Sequence, residues 1–411
     1  LLSTTFQSDN TPGWYQISFP VNKSVTDIYF LDSLNGWTCT NWDPQFDSAY
    51  ILHTTNGGNN WEIQLRNSLS LSSIQFVNNN VGYCAGGDGS GKFLITNNGG
   101  ANWNITTPFG SGINNIQDLK FVNKDTGWIC SDDLFGGGIF RTTNGGSSWN
   151  RQTGSFDAPI KLFFLNKDTG WALSSSSLYK TTNSGVNWNL LSSFSPGLKG
   201  LFFLSNDTGW VIQQGVGQNG IKKTINGGLN WFVQPDPTPF GPVPEDIFMV
   251  SNSKGWISES RFSIISLAND SVWGKQSVPS GFPAFYSIQM IDTNAGYSGG
   301  TIFVKTEDGG GVITSLNQNY EEIPSDFKLL QNYPNPFNPT TNIEFGISES
   351  GFVSLKVYDI LGKEVKTLVN ENKPAGSYIL KFDGSNLSSG IYFYTLRLEE
   401  KVITKKMFLS K

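Results

Sequence analysis

Charge is scarce in this chain. Only 15% of the 411 residues are Asp, Glu, Lys or Arg, and the net charge is −5. No basic stripe runs along it, which argues against a nucleic-acid partner. No apolar run approaches the roughly 20 residues needed to cross a bilayer, so no membrane span is expected. The first residues, LLSTTFQSDN, lack a basic n-region, and any signal peptide is expected to have been removed ahead of this numbering. Histidine occurs once, at His53, and is not placed to complete a zinc set with cysteine. No phosphate loop, nucleophile elbow or zinc motif appears. The reading is therefore no catalytic residue, no metal and no cofactor.

What the chain has in quantity is glycine, 46 residues, and aromatics, 14% of the total with 13 Trp and 30 Phe. That balance points to short, aromatic-packed strands joined by glycine turns. Two signatures alternate. The first is an apolar strand, a polar turn and Gly-aromatic: DIYFLDSLNGW ends at Trp37, and its relatives end at Tyr83, Trp128, Trp171, Trp210, Trp256 and Tyr297. The second, TTNGGNNW, ends at Trp61 and recurs at Trp103, Trp149, Trp188 and Trp231, with a worn copy at Trp273. A seventh, TEDGGGVI, has Ile313 where the Trp belongs. Seven repeats of about 43 residues fit the four-stranded blades of a β-propeller.

In this reading the strand before each polar turn is innermost and apolar on both faces. The TxNGG turn uses hydroxyl and amide side chains to satisfy backbone N–H groups. The Trp that follows packs between blades. Trp14 lies 23 residues before Trp37, the spacing of the other box tryptophans, so residues 14–19 are expected to close the last blade. Val312 to Leu316 compete for the same edge. Cys39 and Cys130 share a frame, in GWTC and GWIC, with Cys84 in GYC. Equivalent positions in different repeats are expected to lie too far apart for a disulfide. A thiol or metal site and small buried hydrophobes are the two readings, and the second is preferred.

TxNGGxxW resembles the Asp-box, or BNR-repeat, family, which includes sialidases, sortilin-like receptors and photosystem II assembly factor-like propellers. This chain has Asn where the family name calls for Asp, except at Asp308. The resemblance implies that the box tryptophans Trp61, Trp103, Trp149, Trp188, Trp231 and Trp273 are structural, on the face away from the ligand site.

After residue 313 the pattern stops. Residues 314–326 read as a linker, and 327–411 as a small immunoglobulin-like antiparallel β-sandwich with period-two alternation in Val353-Leu355-Val357. YPNPFNPTT, VYDILGKEV, SGIYFY and the ending KKMFLSK resemble the type A C-terminal sorting domain of the type IX secretion system. The resemblance implies that Tyr333, Pro334, Asn335, Pro336, Lys405 and Lys406 form the sorting motif and that the secretion machinery is a partner. It further implies a secreted or outer-surface location on a diderm bacterium. The fold expected is thus all-β, a seven-bladed propeller over 1–313 followed by the sandwich.

The remaining loops share one propeller face and gather aromatics beside carboxylates. The ligand candidates there are Trp42, Asp43, Phe46, Asp132, Asp133, Phe135 and Phe240, which suit a surface glycan or a protein ligand; Asp246 ends one of these loops. The alternative is that the phenylalanines fold inward to pin the loops. A sialidase would need clustered arginines, and Arg66, Arg141, Arg151 and Arg261 are scattered in sequence. The expected role is a noncatalytic binding or adhesion module. A structural subunit of an extracellular assembly and a glycoside hydrolase are the alternatives.

Overall fold

The computed structural model describes residues 13–41, 48–87, 89–109, 113–133, 137–154, 156–214, 220–234, 243–260, 263–269, 272–280, 283–311, 313–315, 327–373 and 376–410. The chain divides into two units, Leu1–Leu316 and Asn317–Lys411. Every described element is a β-strand.

The first unit contains seven antiparallel sheets. Blade one runs from strand A at Val25–Phe30 through Gly36–Thr40 and Ala49–Thr54 to strand D at Glu62–Asn67. Strands A of the later blades are Ser70–Phe76, Ile113–Phe121, Lys161–Phe164, Leu198–Phe203, Pro244–Ser251 and Phe285–Met290. Each strand A touches the strand A of the next blade, and that of blade seven touches that of blade one. The seven sheets form a closed ring.

The repeated signature is explained by one packing unit. Strand A ends on Phe or Met, six residues before the Gly that opens strand B. A Cβ on Gly36 would lie 2.3 Å from the Phe30 ring, so only glycine lets that ring lie flat. Its other face takes the strand-B aromatic of the preceding blade. Trp37 stacks on Phe76 with ring centroids 3.6 Å apart, Trp128 on Phe164 at 3.7 Å, and Tyr297 on Phe30 at 3.7 Å. The box Trp then meets the same ring edge-on, as Trp61 does Phe30 (86°) and Trp188 does Phe164 (90°). Such pairs contribute roughly 0.5–1.5 kcal/mol each beyond burial. In blades six and seven Met249 and Met290 replace the Phe, in the clusters of Trp210 and Trp256.

The box turns bond as their residues require. The Thr54 hydroxyl accepts the Gly58 N–H at 2.9 Å, and Asn56 Oδ1 accepts the Asn60 N–H at 2.9 Å. Gly57 and Gly58 sit at φ of 67° and 82°, the left-handed region that other residues resist. The turn is tied to the A–B turn of its own blade by Gly57 N–H to the Leu34 carbonyl, 2.9 Å.

Closure uses both ends of this unit. Tyr15 and Gln16 pair with Lys305 and Val304 as the outer strand of blade seven. Trp14 is buried beside Trp256 and Phe285. The 313–315 segment does not compete for that edge. It pairs instead with Lys275 and Gln276 as a fifth strand on blade six. The stretch read as a linker therefore starts as a strand, and its remainder, 316–326, lies outside the described residues.

Strand A also departs from expectation. Its burial alternates rather than being uniform: Ile28 and Phe30 are buried while Asp27 and Tyr29 are half-buried. An inner strand packs its neighbouring blades with one set of side chains and lines the channel with the other. The channel set mixes polar residues such as Asp27 and Gln75 with aromatics such as Phe163.

The second unit is a β-sandwich. One sheet orders Lys328–Leu329, Thr340–Ile347 and Gly376–Asp383; the other orders Glu364–Lys373, Gly351–Tyr358, Gly390–Leu398 and Lys401–Leu409. Val353, Leu355 and Val357 from one sheet and Ile343, Phe345 and Ile347 from the other share its core.

Candidate functional site

Strands A carry a belt of charged and hydroxyl side chains near their starts, the end of the channel nearest the D–A loops. Six blades contribute one each, Asp27, Ser73, Asp118, Lys161, Asp246 and Ser287, and blade five has Gly200 at the equivalent position. A β-bulge precedes most of them, shifting register between Val25 and Asp27, Leu71 and Ser73, Ile116 and Asp118, and Pro244 and Asp246. The bulge re-aims the next side chain without moving the strand.

The carboxylates staple blades together. Asp27 accepts the Ser73 hydroxyl at 3.0 Å and the Ile74 N–H at 2.9 Å from blade two, and the Ser287 hydroxyl at 3.1 Å from blade seven. Asp118 accepts the Ser73 hydroxyl at 2.9 Å and the Leu162 N–H at 2.9 Å. Asp246 accepts the Ile288 N–H at 3.2 Å. Two lysines balance these charges. Burial works against the Lys161 ammonium, but Asp246, Asp118 and Asp27 outweigh it and hold its pKa above the usual lysine value. Lys120 behaves alike, its Nζ 4.0 Å from Asp118. Burial pushes the Asp246 carboxyl up, against the pull of Lys161. Lys199 and Glu245 form a further pair at 3.6 Å.

One layer further in, the channel divides. Gln75 clasps blade three through Phe121 N–H and C=O (2.7 and 2.9 Å), and Gln289 clasps blade one through Phe30 (2.7 and 3.0 Å). Across blades four to six, Phe163, Phe202 and Phe248 make the same junctions with tilted rings 5.1 Å apart.

Sequence reading missed this belt because DIYF, DLKF and KLFF look like apolar runs; the signal was the polar residue at their head. Asp246, read as a loop residue, is part of strand A. Trp42, Asp43, Phe46, Phe135 and Phe240 lie outside the described residues, and Asp132 and Asp133 end the strand Gly127–Asp133 with no side-chain description. Three loop phenylalanines that are described fold inward: Phe109 onto Phe140 (5.1 Å) and Trp149 (5.6 Å), Phe156 onto Tyr179 (5.3 Å), and Phe194 onto Trp231 (5.7 Å). The described arginines do not converge. Arg66 sits over Tyr50, Arg141 over Trp128 and Arg151 over Phe140.

In the sandwich, the first and last motifs meet. Asn335 Oδ1 accepts the Phe408 N–H at 2.8 Å, and Phe337 N–H donates to the Phe408 carbonyl at 2.9 Å. Gln331 Nε2 donates to the Lys406 carbonyl at 2.6 Å. Buried Asn332 gives its N–H to Tyr394 Oη at 2.7 Å and its amide to Thr341 at 3.0 Å. Tyr333 and Pro334 are half-buried, whereas Pro336 and Lys406 are exposed. The YPNP segment and the final strand thus form one patch.

Residues 331–410 match the secretion system C-terminal sorting domain family. The chain is therefore an exported β-propeller, secreted or held at the outer surface of a diderm bacterium, and the type IX secretion machinery is its partner in export. No helix among the described residues is long and apolar enough to cross a membrane. A search of curated proteins finds no match. Among solved structures, YCF48 bound to D1 peptide is similar at 19% identity and a TM-score of 0.57, covering 72% of this chain and 97% of that one. YCF48 from Cyanidioschyzon merolae gives 16% and 0.58, covering 72% and 99%. The GH74 enzyme of Niastella koreensis gives 13% and 0.50, covering 93% of this chain and 65% of that one. At these identities the likeness is one of fold.

Proposed function

We propose that the propeller is a noncatalytic binding module, displayed or released outside the cell, that takes a surface glycan or protein ligand at the loop end of its channel. One observation carries the reading. The belt of Asp27, Asp118, Asp246, Lys120 and Lys161 lies toward the starts of strands A, the channel end that the D–A loops enter, and its carboxylates are committed to interblade hydrogen bonds. Both oxygens of Asp27 and of Asp118 already accept bonds, which weighs against their use as a hydrolytic acid/base pair. What is left for a ligand is the mixed charge of Lys199 and Glu245. A peptide complex of a propeller with this fold, YCF48 with the D1 peptide, supports a peptide as one occupant. We further assign the turn at Thr54–Trp61 and its copies to the Asp-box type, with Asn as the usual turn residue.

The test is binding of the exported full chain to glycan and peptide arrays, repeated with Lys199→Glu. Binding that drops at least tenfold in the variant fits the proposal. Turnover of a glycan would replace it with the hydrolase reading, and large self-interfaces without array binding would favour a structural subunit.

A further inference from the structure

Strand geometry brings two of the three cysteines face to face. In strand B of blade one, Trp37 points at blade two, where it stacks on Phe76. Cys39, two residues on, shares that face. In blade two, Tyr83 points at blade three and stacks on Phe121. Cys84 is one residue further, so it faces back toward blade one. The expectation that the cysteines lie too far apart holds for equivalent positions, and Cys84 is offset from Cys39 by one. Both side chains are fully buried in one cluster with Ile51, Leu71 and Leu94. The two thiols act on one another: after burial, Cys39 helps to push the Cys84 thiol up. Cys130 shares the Trp128 face and looks the other way, toward Leu162 and Ala172.

The structure holds these groups as thiols. A chain bearing the sorting domain is destined for the outer surface, beyond the reducing cytoplasm, and passes through compartments where disulfides form and persist. We propose that Cys39 and Cys84 become an interblade disulfide in the exported protein. The oxidant is a protein disulfide of a periplasmic thiol oxidoreductase. One cysteine thiolate attacks that disulfide and forms a mixed disulfide, releasing one donor sulfur as a thiolate. The second cysteine thiolate then attacks the mixed bond and expels the other donor sulfur. Two thiol protons leave this chain, and two electrons reduce the donor to a dithiol.

Burial sets the timing. It pushes the Cys84 thiol well above its ordinary pKa, so little thiolate exists once blades one and two have packed. Exchange belongs to folding, before that interface closes. Afterwards the same burial shields the bond from reductants.

The test uses full-length protein collected from cells that export it, denatured without reductant in N-ethylmaleimide. Intact mass should show one adduct, on Cys130, and peptide mapping should recover a Cys39–Cys84 linked pair. Cys39→Ser and Cys84→Ser should each raise the count to two, and Cys130→Ser should lower it to none. Three adducts on the wild-type chain, or a linkage through Cys130, would overturn the proposal.

Discussion

The carboxylate of Asp308 accepts the backbone N–H of Gly13 at 2.9 Å, across 295 positions of sequence. In the regular boxes the same acceptor position serves the residue just before the Trp. Asn56 takes Asn60, Asn98 takes Asn102 and Asn183 takes Asn187. Gly13-Trp14 therefore supplies, from the other end of the unit, the last two residues of the seventh box. Gln276 completes the fit by accepting Trp14 Nε1–H at 2.8 Å.

Trp14→Ala should consequently behave as a core truncation although it lies near the start of the sequence. Loss of its burial and its bond to Gln276 should lower stability by roughly 3–5 kcal/mol. Urea unfolding followed by tryptophan fluorescence would measure this. A midpoint within error of wild type would show that the closure does not hold the ring.

Asp27 offers a contrast between buried and exposed carboxylates. Asp27→Ala leaves the Ser287 hydroxyl and the Ile74 N–H without their acceptor, while the Ser73 hydroxyl keeps Asp118. The expected loss is roughly 3 kcal/mol or more, since each buried donor left unpaired costs about 1–3 kcal/mol. Asp32 caps an exposed A–B turn through Leu34 and Asn35, and Asp32→Ala should lose about 0.5–1.5 kcal/mol. Equal losses in thermal unfolding would contradict the assignment of the belt as the stronger staple.

The single histidine gives a clean pH test. His53 stacks on Trp37 at 4.3 Å, and its Nε2 is buried without a partner. Burial holds its pKa below the ordinary value, with Glu62 acting weakly against this. The unfolded chain, at about 6.5, then takes up the proton first. Stability should be level above that pH, fall as pH drops through 6.5 toward the folded pKa, and level again below it. His53→Phe should flatten that step, and proton NMR of His53 should titrate below 6.5. A titration above 6.5 would reverse the sign.

Removal of residues 327–411 should abolish export and leave a folded propeller in the periplasm. Cell fractionation with immunoblotting reads the outcome. Normal delivery of the truncated chain to the surface or medium would mean that the sorting information lies elsewhere.

The ring was legible in sequence because its constraint is steric and repeated. Phe30 needs Gly36, Phe76 needs Gly82 and Phe121 needs Gly127, and no other residue fits the space. The belt was hard to read because the two channel-facing positions of each strand A vary from blade to blade. Lys161 and Asp118 occupy equivalent places, as do Gln75 and Phe163, so no periodic motif marks them. The Cys39–Cys84 contact was missed for a simpler reason: a one-residue offset reverses the face of a strand.

Blades one to six complete four strands from consecutive sequence, whereas blade seven waits for residues 15 and 16 at the opposite end. Contacts of such separation form late, because the loop entropy must be met before they reward the chain. Single blades can assemble as each repeat becomes available, but the outer edge of Phe303–Thr306 stays open until the first strand returns. Folding should thus end in a slow step, sensitive to Trp14 and Asp308 and indifferent to the sorting domain, and the interval before it is when the unclosed edge is most exposed to pairing with another chain.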